Sequence, residues 1–195
     1  MDWRIKAYIQ RALDATPGGV AVNDMLQRLN GGRSDIGGHI AGKVRGDWLV
    51  HMSHLNQLGF SCQGKRMVEI GTGWLPVMPL CFALAGMDRC FTLDLRRHLR
   101  MPGVLLTLRH LEPHLDDVAR ASHQDVEKVK QRWLSWMGLS DGRAVLDAAG
   151  IEYRAPGDAT ATTLPDRSVD LVFSNSVLEH VPATVLDCKR PAIPS

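Results

Sequence analysis

The hydrophobic positions of this chain follow two different periods along its length. Short apolar runs bounded by turn residues occur at 67–70, 91–94, 151–154 and 169–173, and such runs are typical of strands buried in a parallel sheet. Elsewhere, apolar residues recur every three or four positions, which indicates amphipathic helices. The alternation of strands and helices predicts an α/β fold of the Rossmann-like type, with a parallel sheet and helices on both of its faces.

The first part of the chain, residues 1–64, contains helical patterns rather than strands. Apolar residues at helical spacing predict helices near 3–15, 23–29 and 48–58. The glycine-rich run 31–46 is predicted to be a loop with a brief helical turn. We therefore predict a helical lead-in at the N-terminus.

The second part, residues 65–195, is predicted to be the Rossmann-like domain. Within it, the segment 96–150 separates the second and third strands. This segment is longer than a usual crossover and contains several helical patterns. We interpret it as a helical cap inserted after the second strand, of the kind that closes over a substrate.

The end of the first strand carries the most informative pattern. Glu69 closes an apolar run, and Gly71 and Gly73 then open a turn into a helix. Glycines suit this position because the chain turns sharply there, and because a Cβ would block a ligand that lies against the backbone. Three further segments follow in the order that a doubly wound fold requires: 91–94, 157–159 and 169–175.

Together these segments resemble the class I S-adenosylmethionine-dependent methyltransferases of the small-molecule type. In that type the fourth strand is followed by a Leu-Glu-His-Val sequence, which is found here at 178–181. The resemblance covers roughly residues 66–94 and 151–182. It implies transfer of a methyl group from S-adenosylmethionine to a small-molecule acceptor, and it does not identify the acceptor.

The resemblance also implies a role for each residue of the site. The loop of Glu69, Gly71, Thr72 and Gly73 would pass beneath the amino-acid portion of the cofactor. Asp94, at the end of the second strand, would accept hydrogen bonds from both ribose hydroxyls. The alternative for Asp94 is a structural cap at the strand end.

Further roles fall in the second half of the resemblance. Asp158 would accept a hydrogen bond from the adenine amino group, with the backbone N–H of Ala159 beside the ring, although a Gly-Asp pair also forms ordinary turns. Asn175 lies at the carboxyl end of the fourth strand, where ligands bind in open sheets. His180 is the candidate catalytic base, because the unperturbed pKa of histidine, about 6.5, suits proton removal near neutral pH. A local structural role for His180 is equally compatible with the sequence.

The sheet is predicted to be incomplete at the C-terminus. The family fold has seven strands, whereas the strand pattern of this chain stops after the fourth. The strand at 169–173 would then be an apolar edge with unpaired N–H and C=O groups, which would allow self-association. We interpret the chain as a truncated copy of a longer enzyme, and the alternative is that another chain supplies the missing strands.

Composition and charge limit the partners. The chain has 195 residues, of which 45% are hydrophobic and 23% charged, as in an ordinary globular protein. The net charge of +2 is too small to indicate a nucleic acid or an anionic membrane as partner. The N-terminus lacks the apolar core of a signal peptide, and no apolar run approaches membrane-spanning length. These features predict a soluble, cytoplasmic protein.

No metal site is predicted. The four cysteines show no C-x-x-C spacing, and Pro113 weakens the helix that would aim His110 and His114 at one metal ion. The cofactor that the resemblance implies is S-adenosylmethionine, and no metal ion is expected beside it.

Other functions remain open to different degrees. A nicotinamide-dependent oxidoreductase also uses a glycine turn and an acid after the second strand, but Pro76 occupies the third glycine position of that fingerprint. A nucleic-acid methyltransferase is disfavoured because 174–177 lacks the Asn/Asp-Pro-Pro-aromatic sequence of enzymes that methylate base amino groups. The more serious alternative is a non-catalytic, truncated methyltransferase-like module that binds cofactor or partners without turnover.

Overall fold

The computed structural model describes residues 35–177, and these residues form the predicted α/β fold. Four strands make one parallel sheet: β1 (Arg66–Ile70), β2 (Arg89–Leu93), β3 (Ile151–Arg154) and β4 (Leu171–Ser174). Their order across the sheet is β3-β2-β1-β4, with every neighbouring pair parallel. The strand order reverses at β1, because β2 and β3 are added on one side of it and β4 on the other, and such a reversal creates a ligand crevice in Rossmann-like folds. The predicted α/β, Rossmann-like fold class with a parallel sheet is confirmed.

Helices precede, connect and follow the first two strands. Their bounds are α1 (Ile36–Gly42), a π-helix (Lys43–Trp48), α2 (Leu49–Gln57), α3 (Val77–Leu84), α4 (Met101–His110), a 3₁₀ turn (Glu112–His114), α5 (Leu115–Ala121), α6 (Val126–Met137) and α7 (Gly142–Ala148). The helices predicted near 3–15 and 23–29 lie outside the described residues. Between residues 35 and 177, no helix combines the length and the apolar character needed to cross a membrane.

The glycine-rich run is helical from Ile36 onward, so the loop prediction is wrong there. Ile40, Val44 and Trp48 recur every four residues, and all three are fully buried. The glycines between them lie on the exposed side. Burial of a continuous apolar stripe therefore outweighs the low helix propensity of glycine.

This helical stretch belongs to the core of the sheet domain. The described residues from Ile40 onward form one compact unit. The ring of Trp48 lies 5.9 Å from that of Phe82 on α3, and Phe82 in turn lies 5.6 Å from Phe173 on β4. The lead-in predicted for residues 1–64 thus contributes to the main core from residue 40.

The β1-α3-β2 unit has the predicted form. All residues of α3 are buried, as its continuous apolar sequence requires. Pro79 is the third residue of α3, within the first helical turn, where a backbone N–H has no intrahelical partner to lose. The helix therefore tolerates this proline.

The segment 96–150 is helical, as predicted, and its helices pack against one another and against α3. Leu108, Leu111, Val118 and Val129 are fully buried. The indole N–H of Trp133 on α6 donates to the carbonyl oxygen of Leu108 on α4, at 2.8 Å. Closure of this segment over a substrate stays a prediction.

Strand β4 forms one edge of the sheet that the structure describes. Asp170 precedes it and accepts hydrogen bonds from the backbone N–H of Arg66 and from Lys65 Nζ, both at 2.9 Å, so it holds the start of the strand. The exposed fraction of Val172 is 58%. The sheet face that carries Val172 is lined by residues 159–169, which form turns rather than a helix.

Gly150→Ala is expected to lower the free energy of unfolding by about 2–4 kcal/mol. Gly150 connects α7 to β3 with a φ of +67°, and an added Cβ would lie 2.5 Å from the carbonyl oxygen of Asp88. Urea unfolding measures the loss. Gly59→Ala is the matched control, because Gly59 has a φ of +69° but open space around its Cβ position. Equal losses in the two variants would show that backbone conformation alone, and not the overlap with Asp88, sets the cost.

Candidate functional site

The carboxyl ends of β1 and β2 lie side by side and bring two acidic residues together. The register pairs Ile70 with Leu93, and the backbone N–H of Gly71 donates to the carbonyl oxygen of Leu93 at 2.8 Å. Glu69 therefore lies one residue before this junction and Asp94 one residue after it. The structure thus places the predicted Glu69–Gly73 loop beside the predicted Asp94.

The glycine turn is left-handed at both of its glycines. Gly71 has a φ of +87° and Gly73 a φ of +71°, a region that favours glycine. A Cβ on Gly71 would lie 2.1 Å from the side chain of Val177, whereas no atom of residues 35–177 lies within 4 Å of the Cβ position of Gly73. The space beside Gly73 is therefore open to a ligand that lies against the backbone.

Glu69 is a buried acid that has few polar neighbours among the described residues. Its exposed fraction is 3%, and its Oε2 accepts a hydrogen bond from Thr72 Oγ1 at 2.9 Å. Burial raises the pKa of Glu69 to about 8; nearby Asp94 adds to this rise, while the Thr72 hydroxyl and Lys43 oppose it. Glu69 is therefore mostly protonated and neutral at pH 7.

Asp94 is also buried, but it is better supplied with donors. Its exposed fraction is 6%, and its Oδ2 accepts from the Tyr153 hydroxyl at 2.9 Å and from the Gly73 backbone N–H at 3.2 Å. Burial raises the pKa of Asp94, against the opposing effects of these donors, of His98 and of the Thr72 backbone. The acid is held in a single orientation by groups from β3 and from the glycine turn.

The predicted site residues Asp158 and Ala159 directly follow Gly157, whose backbone is hydrogen-bonded to that of Asp94. The N–H of Gly157 donates to the carbonyl oxygen of Asp94 at 2.8 Å. The exposed carboxylate of Asp158 accepts from the N–H and the hydroxyl of Thr160, at 2.8 and 2.7 Å, and these bonds lower its pKa. Asp158 therefore forms the ordinary turn that the sequence left open, and contact with an adenine ring stays a prediction.

Asn175 lies at the carboxyl end of β4, beside β1. The adjacent Ser174 hydroxyl donates to the carbonyl oxygen of Ile70 at 3.1 Å. Asn175 Nδ2 donates to Asp47 Oδ2 at 2.7 Å, and Lys43 Nζ lies 3.3 Å from the same oxygen. The π-helix thus brings a charged pair to this side of the site, and π-helical turns occur frequently at functional sites.

The predicted catalytic base His180 lies outside the described residues, as does the whole of 178–181. Its role therefore stays a prediction.

Sequence reasoning missed Tyr153, Lys43 and Asp47. Tyr153 pairs in register with Thr92, so its side chain shares the sheet face of Glu69. A tyrosine near the end of a strand, beside an acid at the end of its neighbour, was a usable signal for Tyr153. Lys43 and Asp47 gave none, because their segment was predicted to be a loop.

A cavity of about 300 Å³ lies on the opposite sheet face, beneath the turns of 159–169. Val68, Ile70 and Val172 form its floor, and Ala159 is the predicted site residue that lines it. The cavity therefore does not contain the carboxyl groups of Glu69 and Asp94.

A comparison of the chain with protein-family models, with curated proteins and with solved structures found no match. The chemistry of this site is therefore inferred from its own residues.

Proposed function

We propose that this chain binds S-adenosylmethionine and transfers its methyl group to a small-molecule acceptor. The observation that carries this proposal is the meeting of three features where β1 and β2 end: the buried Glu69, the left-handed glycine turn and the buried Asp94. A ligand at this crevice would meet both acids and the open backbone of Gly73.

The residues present fit the chemical groups of that cofactor. An ionised carboxylate offers about four lone-pair positions, so Asp94 retains acceptors for a ribose diol in addition to its bonds from Tyr153 and Gly73. Glu69 can supply a negative charge to an ammonium group. The open space at Gly73 allows the chain of the ligand to lie between these two acids.

The bound cofactor would supply a methyl group activated by its sulfonium. The protein must then align the acceptor with the methyl carbon, and good alignment lowers a barrier by about 7–11 kcal/mol. Glu69 and Asp94 would hold the two ends of the ligand and so orient it. A base is needed if the acceptor must lose a proton, and His180 is the candidate for that step.

Calorimetric titration with S-adenosylmethionine and with S-adenosylhomocysteine tests the proposal. We expect both to bind and to release up to one proton at pH 7, because their ammonium group favours the ionised form of Glu69, whose pKa is about 8 in the free protein. Parallel titrations in phosphate and Tris buffers count the proton.

The matched control ligand is 5′-methylthioadenosine, which keeps the nucleoside but lacks the ammonium group. It should bind without proton release. A folded, monodisperse sample that binds none of the three ligands would contradict the proposal.

A second candidate is a non-catalytic module that binds the cofactor or a partner. It is favoured by the position of β4 at the edge of the described sheet, together with the exposure of Val172. Formation of S-adenosylhomocysteine with a panel of hydroxyl, amine and carbon acceptors separates the two candidates. Tight binding with no product from any acceptor would support the module, and sedimentation would then show whether β4 mediates self-association.

A further inference from the structure

The hydroxyl of Tyr153 lies at the centre of three hydrogen bonds from different parts of the chain. It donates to Asp94 Oδ2 at 2.9 Å and accepts from the backbone N–H groups of His98 and Leu99, at 3.0 and 3.2 Å. A phenol oxygen has one proton and two lone pairs, so this arrangement uses its full capacity. The hydroxyl therefore ties the acid at the end of β2 to the loop that follows.

That loop is held at further points around Tyr153. Leu99 is buried in the core, and the guanidinium of Arg97 lies 5.9 Å from the centre of the Tyr153 ring. The same guanidinium donates to the carbonyl oxygen of Ala155 at 3.0 Å, just after β3. The loop 95–100 and the end of β3 thus form one connected structure.

The other side of Asp94 is tied to the glycine turn. Gly73 donates its backbone N–H to the carboxylate, and the ring of Trp74 lies 5.3 Å from the ring of His98. Donors from two directions therefore restrict the rotation of the carboxylate about its side-chain bonds. A carboxylate held in this way loses little conformational entropy when a diol binds to it, so the diol binds more tightly.

We propose that Tyr153 is the positioning residue of the nucleoside end of this site, setting the orientation in which Asp94 receives a ribose diol. This inference rests on the proposed function, because it assumes that Asp94 binds ribose. Tyr153 itself makes no contact with the ligand in this arrangement. It acts through the acceptor geometry of Asp94.

Tyr153→Phe, which deletes the hydroxyl and keeps the ring, tests the inference with two ligands. S-adenosylhomocysteine should bind the variant roughly tenfold more weakly than it binds the wild type, because the Asp94 carboxylate would then have to be ordered when the diol binds. The 2′,3′-dideoxy analogue has no ribose hydroxyls, so its affinity should change by less than about twofold. Because both ligands meet the same variant, any general loosening of the protein cancels in the comparison.

Ser122→Ala is the matched control, since it removes another buried hydroxyl, one that is bonded within α5 to Val118 and Ala119. It should leave both affinities unchanged. Equal weakening of the two ligands by Tyr153→Phe, or no weakening of either, would overturn the inference while leaving the proposed function intact. If the wild type binds neither ligand, the proposed function fails, and this inference fails with it.

Discussion

Asp94→Asn is expected to weaken the binding of S-adenosylmethionine by about 100-fold, because the amide loses the charge that strengthens two hydrogen bonds to the ribose. Hydrogen bonds to a charged group contribute about 1.5–3 kcal/mol each, against about 0.5–1.5 kcal/mol for neutral pairs. The single amide oxygen must also serve Tyr153 and the backbone of Gly73. Calorimetric titration at about pH 8 measures the change, since acidic conditions would protonate Asp94 itself.

The fold of this variant should survive. Burial disfavours the ionised form of the Asp94 carboxyl group, and an amide of the same shape carries no charge to bury. Asp116→Asn is the control, because Asp116 is an exposed aspartate that pairs with Lys130 at 3.0 Å. Unchanged affinity in Asp94→Asn would exclude Asp94 as the ribose acceptor.

Glu69→Gln is expected to make the free protein more stable than the wild type at alkaline pH, by about 5 kcal/mol. The folded protein keeps the proton of Glu69 up to about pH 8, whereas the unfolded chain loses it near pH 4.5. Between these values the folded state binds more protons, so the wild type loses stability as the pH rises. Glutamine has no proton to lose and avoids this loss.

Urea unfolding of both proteins at several pH values measures this effect. The difference in unfolding free energy should be small near pH 4.5, should grow by about 1.4 kcal/mol per pH unit, and should level off above about pH 8. Other titrating groups cancel, because they are common to both proteins. Glu152→Gln, at an exposed position of β3, gives the effect of the same chemical change outside the core. A difference that does not vary with pH would mean that Glu69 is ionised in the folded protein.

The errors of prediction have a physical origin. Residues 31–46 were predicted to be a loop with a brief helical turn on account of their glycines, although Ile40 and Val44 already showed, with Trp48, a helical spacing of four. The low helix propensity of glycine favours a loop, but burial of the apolar stripe stabilises the helix by more. Strand β4 begins at Leu171 rather than Val169, and Asp170 just before it is held by Lys65 Nζ and by the backbone N–H of Arg66.

The acid after β2 and the glycine turn after β1 were predictable for a different reason. Each follows directly from residues that lie within a few positions along the chain, namely an apolar run, a terminal acid and two glycines. The hydrogen bond from Tyr153 to Asp94 joins residues 59 positions apart, and the bond from Asn175 to Asp47 spans 128 positions. No local pattern specifies such partners.

The alternation of strands and helices, the turn after β1 and the place of Asp94 could be predicted from the amino-acid sequence, because they depend on short-range periodicity and on the conformational freedom of glycine. The burial of Glu69, the partners of Asp94 and the approach of the π-helix to Asn175 are visible only in the folded chain. These contacts require strand order and register to bring distant segments to one edge of the sheet. Removal from water then sets the proton affinity of the two acids.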